Sequence, residues 1–430
     1  MSYPFMRFIY TLFFYLLLPV ILLRLYWRGR LAPAYRKRWA ERFGFFSPLV
    51  THKKVVWIHT VSMGEFLGAL PLIRQLLAQP DVQIVVTTTT PTGSERVRAA
   101  LGDNVFHVYA PYDLPDAITR FLVRIKPALL VIMETELWPN TLAGCAKRHI
   151  PAILINARLS EKSARGYRRF SALTRPMLKQ LTRAAIQNTA DADRFMQLGL
   201  PESNLSVTGN IKFDLTLPDE LRQQAAALKS ILSDQGRRRI WIAASTHLGE
   251  DEIILDAFAR IRAAPYPWAQ SLLLILVPRH PERFDQVAGL CESRGFHLGR
   301  RSSTRVDSAM DIFLGDTMGE LLLLFGASDL AFVGGSLVAR GGHNFIEPAA
   351  WGLPLLSGES LFNFAEVSRL LREAGALTVV SSSEALANAC VGLLDDVAQM
   401  HACGTAALAV AENNRGALQR TLAVIQPFIK

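Results

Sequence analysis

Several short segments of the 430-residue chain place carboxylates, imidazoles, guanidinium groups and glycine turns at spacings that suit acid–base and phosphate chemistry. In VSMGEF, a strand ends at Val61, Ser62-Met63-Gly64 makes a turn and Glu65 opens a helix. A carboxylate there can take a proton from a hydroxyl, or it can simply complement the helix macrodipole. The helix N-terminus favours the ionised form, so a raised pKa at Glu65 would require burial. In METELWPN, Glu134 and Glu136 leave a strand end together, and in extended chain two carboxylates two residues apart face the same side. They can bind sugar hydroxyls, act as acid and base, or cap the helix that starts near Pro139.

The second half carries a distributed set: ASTHLGE (244–250), VPRHPER (277–283), GDTMGEL (315–321) and GGSLVARGGHNFIEP (334–348). Glycine turns that lead into helices present free N–H groups to a phosphate. Arg279 adds a forked cation, and Glu347 can bridge ribose hydroxyls. Four such segments at successive strand ends point to a nucleotide. His247, His280 and His343 belong either to that site or to ordinary caps and core. Asp191 and Asp193 in TADADRF fit a helix N-cap and first turn better than a metal site. His and Cys spacing offers no metal cluster, so no metal ligand is expected. GxxxxGK[ST], HExxH and GxSxG do not occur, nor does GxGxxG after the first strand, which disfavours a P-loop enzyme or a dinucleotide-dependent dehydrogenase.

These segments need a scaffold that brings strand ends together. Runs at 55–61, 82–89, 105–110, 128–134, 152–156 and 184–188 read as buried parallel strands. Helical patterns at 65–77, 114–125 and 140–148 separate them. The alternation resumes after 210–218, with strands at 239–245, 272–278, 311–316, 330–335 and 354–358. This predicts an α/β protein with two doubly wound sheets, which bind ligands beyond the carboxyl ends of their strands. The expected organisation is an N-terminal anchor at 1–30, a first domain at 31–213, a hinge at 214–218, a second domain at 219–410 and a C-terminal helix at 411–430 packing back on the first domain.

Half of the residues are hydrophobic and 20% are charged, with mean hydropathy +0.20, too apolar for a disordered chain. Part of that apolarity should face lipid. Residues 8–23 carry no charge, Tyr26, Trp27 and Arg28 follow as an interfacial anchor, and no small-residue cleavage site precedes the basic block. The formal net charge of +10 is concentrated: residues 1–50 and 158–183 each hold eight Lys or Arg against one Glu, so the rest of the chain is mildly acidic. Two patches on an acidic body favour an anionic membrane over nucleic acid. The positive-inside rule puts the bulk of the chain in the cytoplasm. Cys145, Cys291, Cys390 and Cys403 form no CxxC pair, which fits a reducing compartment.

Taken together, APAYRKRWAERFG, HTVSMGE, TTTTPTGSERV, YAPYDLP, METELWPN, NARLSEKSARGY, TGNIKFD, STHLGE, LVPRHPERF, GDTMGEL, AFVGGSLVARGGHNFIEPAA and LFNF resemble the Kdo transferases of lipopolysaccharide biosynthesis, the lipid A 3-deoxy-D-manno-octulosonic acid transferases. The resemblance runs through essentially the whole chain. It implies a GT-B glycosyltransferase, two Rossmann-like domains with a cleft between them, transferring Kdo from CMP-Kdo to lipid IVA by an inverting, metal-independent reaction. No cofactor beyond the donor substrate is implied. Glu65 maps to the catalytic base, with Ser62, Gly64, Glu134, Glu136 and Arg158 as acceptor-side or auxiliary residues. Donor contacts map to Arg279 on the CMP phosphate, to Thr317, Met318, Gly319 and Glu320 near the cytosine, and to the Gly334-Gly335-Ser336 turn. Asn344 and Glu347 map to phosphate and ribose, and Lys212, Ser245, Thr246, His247 and His280 complete the set. The basic patches would hold the acceptor head group and the anionic inner-membrane lipids, and no nucleic acid is expected. The rivals are another GT-B enzyme using a UDP-sugar, a related epimerase, and a non-enzymatic lipid-binding protein. Spanning and surface-lying versions of the N-terminal helix are both open at this point, because Pro19 interrupts a short run.

Overall fold

The computed structural model describes residues 3–303 and 309–429. Residues 1 and 2 of the expected anchor, 304–308 of the expected second domain and residue 430 lie outside the described residues. The chain divides into two compact units, one made of Met1–Asp214 with Arg415–Lys430, the other of Leu215–Asn414.

Unit 1 is built on a seven-stranded sheet of β1 (Lys54–His59), β2 (Val82–Thr88), β3 (Phe106–Tyr109), β4 (Leu129–Met133), β5 (Ala152–Ala157), β6 (Arg183–Ile186) and β7 (Leu205–Val207). The order is β3-β2-β1-β4-β5-β6-β7, all parallel. The strands read as continuous apolar runs because both faces are covered. Val55, Trp57, Leu130 and Ile132 enter one core cluster, and their neighbours Val56, Ile58, Leu129 and Val131 enter another. The helix Ala417–Ile425 closes the second of these cores with Ala417, Leu418, Leu422 and Ile425. It is held by Asp214, whose carboxylate accepts from the backbone of Leu418 at 2.5 Å and also from Gly416.

Unit 2 repeats the plan with β8 (Ile240–Thr246), β9 (Leu273–Pro278), β10 (Leu298–Arg300), β11 (Ile312–Leu314), β12 (Leu330–Val333), β13 (Leu355–Ser357) and β14 (Leu377–Val379). Its order is β10-β11-β9-β8-β12-β13-β14, again parallel. The chain winds outward in both directions from the middle of each sheet, so that the strand order reverses between β1 and β4 in unit 1 and between β8 and β12 in unit 2, where β10 and β11 are also transposed at the edge. A doubly wound sheet opens a crevice at that switch point, outside the carboxyl ends of the two strands. The three strands absent from the sequence reading, β7, β10 and β14, are all short edge strands with half-exposed residues.

Candidate active site

In unit 1 the β1–β4 switch point gathers the carboxylates. Ser62 is the N-cap of helix Met63–Leu77, and Glu65 stands three residues on. The Ser62 hydroxyl donates to Glu65 Oε1 at 2.8 Å, and the Val61 N–H donates to Glu65 Oε2 at 2.7 Å. The Glu65 N–H in turn reaches Ser62 Oγ at 3.3 Å. This is a capping box, so Glu65 does cap the helix. The structural role does not exclude a chemical one, because burial pushes its carboxyl up to about 7 against those two hydrogen bonds. The charges of Glu136 and Glu134 raise it further.

Glu134 and Glu136 depart from the extended-chain expectation. The chain turns immediately after β4, and Glu134 adopts a left-handed backbone with φ 58°. Its carboxylate is held by Arg158 Nε at 2.9 Å and Lys212 Nζ at 3.1 Å. Glu134 is therefore a paired carboxylate that fixes two cations. Glu136 accepts from Trp138 Nε1 at 3.1 Å, and burial and the Glu134 charge raise its pKa. Lys212, mapped to the donor by resemblance, lies in unit 1 with its ammonium on Glu134. Gly68 lies beside Met133 and Lys212, and a Cβ there would crowd Met133 Cε at 2.8 Å while making only an ordinary contact with Lys212 Cε at 3.6 Å.

In unit 2 the loops after β8 and β12 meet at the second switch point. Gly334 lets them touch, because a Cβ on it would come within 2.6 Å of the Ser245 carbonyl. Ser245 itself has φ 59°, and Thr246 donates to Asp251 at 2.5 Å. His247 Nε2 and His343 Nε2 are 2.8 Å apart, and the His280 ring sits edge-on to His247 at 5.3 Å between centroids. A Cβ at Gly335, which has φ 68°, would meet the His343 ring at 2.9 Å. Two imidazole nitrogens at that distance share one proton, one donating and one accepting. Burial and then the Arg279 charge lower His343 to about 4. Among the described residues the Arg279 guanidinium has no ion-pair partner, whereas neighbouring Arg283 is pinned on Asp251. Half-buried Glu347 takes a hydrogen bond from Asn344 at 3.0 Å, and its pKa is raised by desolvation against that bond and the Arg279 charge. Thr317 donates to Glu320, and Arg301 grips Glu320 at 2.6 Å and holds its pKa low, while Met318 is exposed.

The glycine turn behaves differently from the sequence expectation. The backbone N–H groups of Gly335, Ser336 and Leu337 are not free: they donate to the buried carboxylate of Glu250 at 2.6, 2.9 and 2.9 Å. Glu250 also accepts from the His247 N–H at 2.9 Å. Sequence reasoning overlooked Glu250 because it is one of three acids in the first turn of helix Glu250–Arg262, where macrodipole complementation accounts for all three. Arg301 and Glu250 are the residues that tertiary packing adds to the site, and His343, left open by the sequence, stands beside His247.

A sequence model of the family described as 3-deoxy-D-manno-octulosonic-acid transferase (kdotransferase) matches residues 37–215. A 3-deoxy-D-manno-octulosonic acid transferase of Haemophilus influenzae is 44% identical over 428 residues, 99% of either chain. One from Bordetella pertussis is 34% identical over 440 aligned positions, covering 98% of this chain and 99% of the relative. Among solved structures, the UDP-GlcNAc 2-epimerase of Neisseria meningitidis bound to UDP-GlcNAc shares the fold, with TM-score 0.58 at 14% identity, over 87% of this chain and all of that one.

Proposed function

This chain belongs to the 3-deoxy-D-manno-octulosonic acid transferase family and is a glycosyltransferase of GT-B fold, and from that premise we propose that it transfers Kdo from CMP-Kdo to a primary hydroxyl of a lipid A precursor, lipid IVA, at the cytoplasmic face of the inner membrane. The observation that carries the mechanism is the partly buried Glu65 carboxyl at the β1–β4 switch point, with a pKa near 7. A base poised near the working pH combines a useful ionised fraction with useful proton affinity. Glu65 takes the proton from the acceptor hydroxyl, and the oxygen attacks the anomeric carbon from the face opposite the leaving CMP. The C–O bond to the phosphate breaks, and configuration inverts. Arg279, which has no ion-pair partner among the described residues, receives the departing phosphate charge. Glu347 and Asn344 hold the ribose side of the donor, and Thr317 with Glu320 supports the cytosine. No step is routed through a metal.

The direct test is incubation of the purified enzyme with CMP-Kdo and lipid IVA in EDTA, followed by mass spectrometry of the lipid. Lipid carrying one or more Kdo residues, with release of CMP, is the expected result. An unchanged lipid from folded, CMP-binding enzyme would remove this acceptor from the proposal, and transfer that stops in EDTA would remove its metal-free part.

A further inference from the structure

Helix Tyr3–Leu31 has the length and hydropathy of a membrane span. Its two faces, however, are not equivalent. Tyr3, Arg7, Tyr10, Thr11, Phe14, Leu18, Ile21 and Leu25 are half-buried, whereas Phe5, Phe8, Leu12, Phe13, Leu16, Val20, Leu23 and Trp27 are exposed. At helical spacing these sets fall on opposite halves of the cylinder. The half-buried face is fastened to unit 1 along the first half of the helix. Tyr3 packs against the unit 1 core and hydrogen-bonds Gln180 at 3.3 Å. Asn140 Nδ2 donates to Thr11 Oγ1 at 2.9 Å, Tyr15 donates to Asp116 at 2.5 Å, and the Phe14 ring lies 6.3 Å from Tyr112.

The other end returns to the same unit. Arg36 folds back with its guanidinium 4.3 Å from the centre of the Tyr26 ring, over a buried Gly29 where any Cβ would collide with it at 2.3 Å. A few residues on, Glu41 accepts from the Tyr109 N–H at 2.9 Å and buried Arg42 donates to the Thr89 carbonyl at 2.8 Å. A helix of 29 residues is about 43 Å long at 1.5 Å per residue. If it crossed a hydrocarbon core of about 30 Å, Tyr3 would be left on the far side from Gln180, and Asp116 and Asn140 would have to enter lipid or lose their partners.

We propose that helix Tyr3–Leu31 lies in the plane of the membrane, clamped to unit 1 by one face and inserted by the other into the headgroup–acyl boundary of an anionic leaflet. The occupant of the free face is lipid, because its apolar residues are bordered by exposed Arg24, Arg28 and Arg30 and by the amphipathic rings of Tyr26 and Trp27. The helix Glu161–Arg169, next to the helix Ser171–Leu178 that the anchor packs on, adds exposed Lys162, Arg165, Arg168 and Arg169 and is followed by exposed Phe170. This inference deepens the membrane part of the proposed function and does not depend on the identity of the acceptor.

The test places a nitroxide label on the full-length protein in vesicles of phosphatidylethanolamine and phosphatidylglycerol. Single cysteines replace Phe8, Leu16 or Leu23 in a Cys403→Ser background, since Cys145, Cys291 and Cys390 are buried. Relative accessibility to oxygen and to a nickel complex gives each label's depth. An in-plane helix puts all three at one shallow depth, about 5–10 Å below the headgroups. A spanning helix puts Leu16→Cys about 10 Å deeper than either neighbour, and that result overturns the proposal. Labels that never enter lipid, as they would if a second copy covered the face, overturn it equally. Kdo transfer to detergent-dispersed lipid IVA is measured on the same variants: its absence alongside equal label depths would sink the acceptor assignment and leave the in-plane helix standing.

Discussion

The Glu250 carboxylate lies 2.6 Å from the backbone nitrogen of Gly335 and closes the glycine turn that a phosphate would otherwise find open. By accepting four backbone N–H groups it ties the loop after β8 to the loop after β12 at the switch point of unit 2. Those four N–H groups are thereby bonded within the protein.

Replacing that carboxylate strands several buried donors at once. Each unsatisfied buried N–H costs about 1–3 kcal/mol, so Glu250→Ala should lose at least about 3 kcal/mol in urea unfolding. Glu250→Gln keeps one acceptor oxygen and should lose less. Equal stability of Glu250→Ala and wild type would mean that the loops are held together by other contacts.

The second expectation concerns Glu65. Glu65→Gln keeps the helix cap, because its single amide oxygen can accept from the Val61 N–H while its NH2 donates to the Ser62 hydroxyl, but it has no basic oxygen. Turnover should fall about 10²–10⁴-fold with unchanged circular dichroism and CMP binding. Near-normal turnover would move the search to Glu136.

The pH profile follows from the same group. Since Glu65 must be ionised to act and its carboxyl is pushed up to about 7, kcat/KM should rise through pH 7 and level off above it. Stability runs the other way. The folded pKa is above the ordinary value, so the favourable contribution is complete below about pH 4.5 and is lost as pH rises through about 7. Glu65→Gln should therefore gain in melting temperature relative to wild type at pH 8 and not at pH 4.

Lys212 is the donor-side residue whose described partner lies in unit 1. Its ammonium sits on Glu134 in unit 1, so Lys212→Ala should leave CMP affinity unchanged in calorimetry. It should cost about 1 kcal/mol of stability, a modest figure because the pair is partly hydrated. A tenfold loss of CMP affinity would return Lys212 to the donor set.

Arg279 should report on two readouts. Arg279→Ala should weaken CMP binding about 10–100-fold, in line with loss of a charge-assisted pair. It should also raise the His343 pKa above about 4, because a neighbouring cation has been removed. An NMR titration showing no change would mean that burial alone depresses His343.

Much of this protein is legible in one dimension. The central strands announce themselves as apolar runs, because a parallel sheet covered on both faces has no polar side to show. Their order of β and α fixes the fold class, and the position of Glu65 directly after β1 marks it for attention. The edge strands β7, β10 and β14 escape, because a run of three residues is too short to carry a periodicity that distinguishes it from loop. What only the tertiary structure decides is which strand ends become neighbours and what each charged group then meets. Glu134 and Lys212 are 78 residues apart, Glu250 and Gly335 are 85 apart, and neither sequence spacing nor composition encodes those pairings. The same holds for helix Tyr3–Leu31: its apolar residues are read at once, but whether it crosses or lies flat depends on hydrogen bonds to residues more than a hundred positions away, and those exist only after unit 1 has folded beneath it.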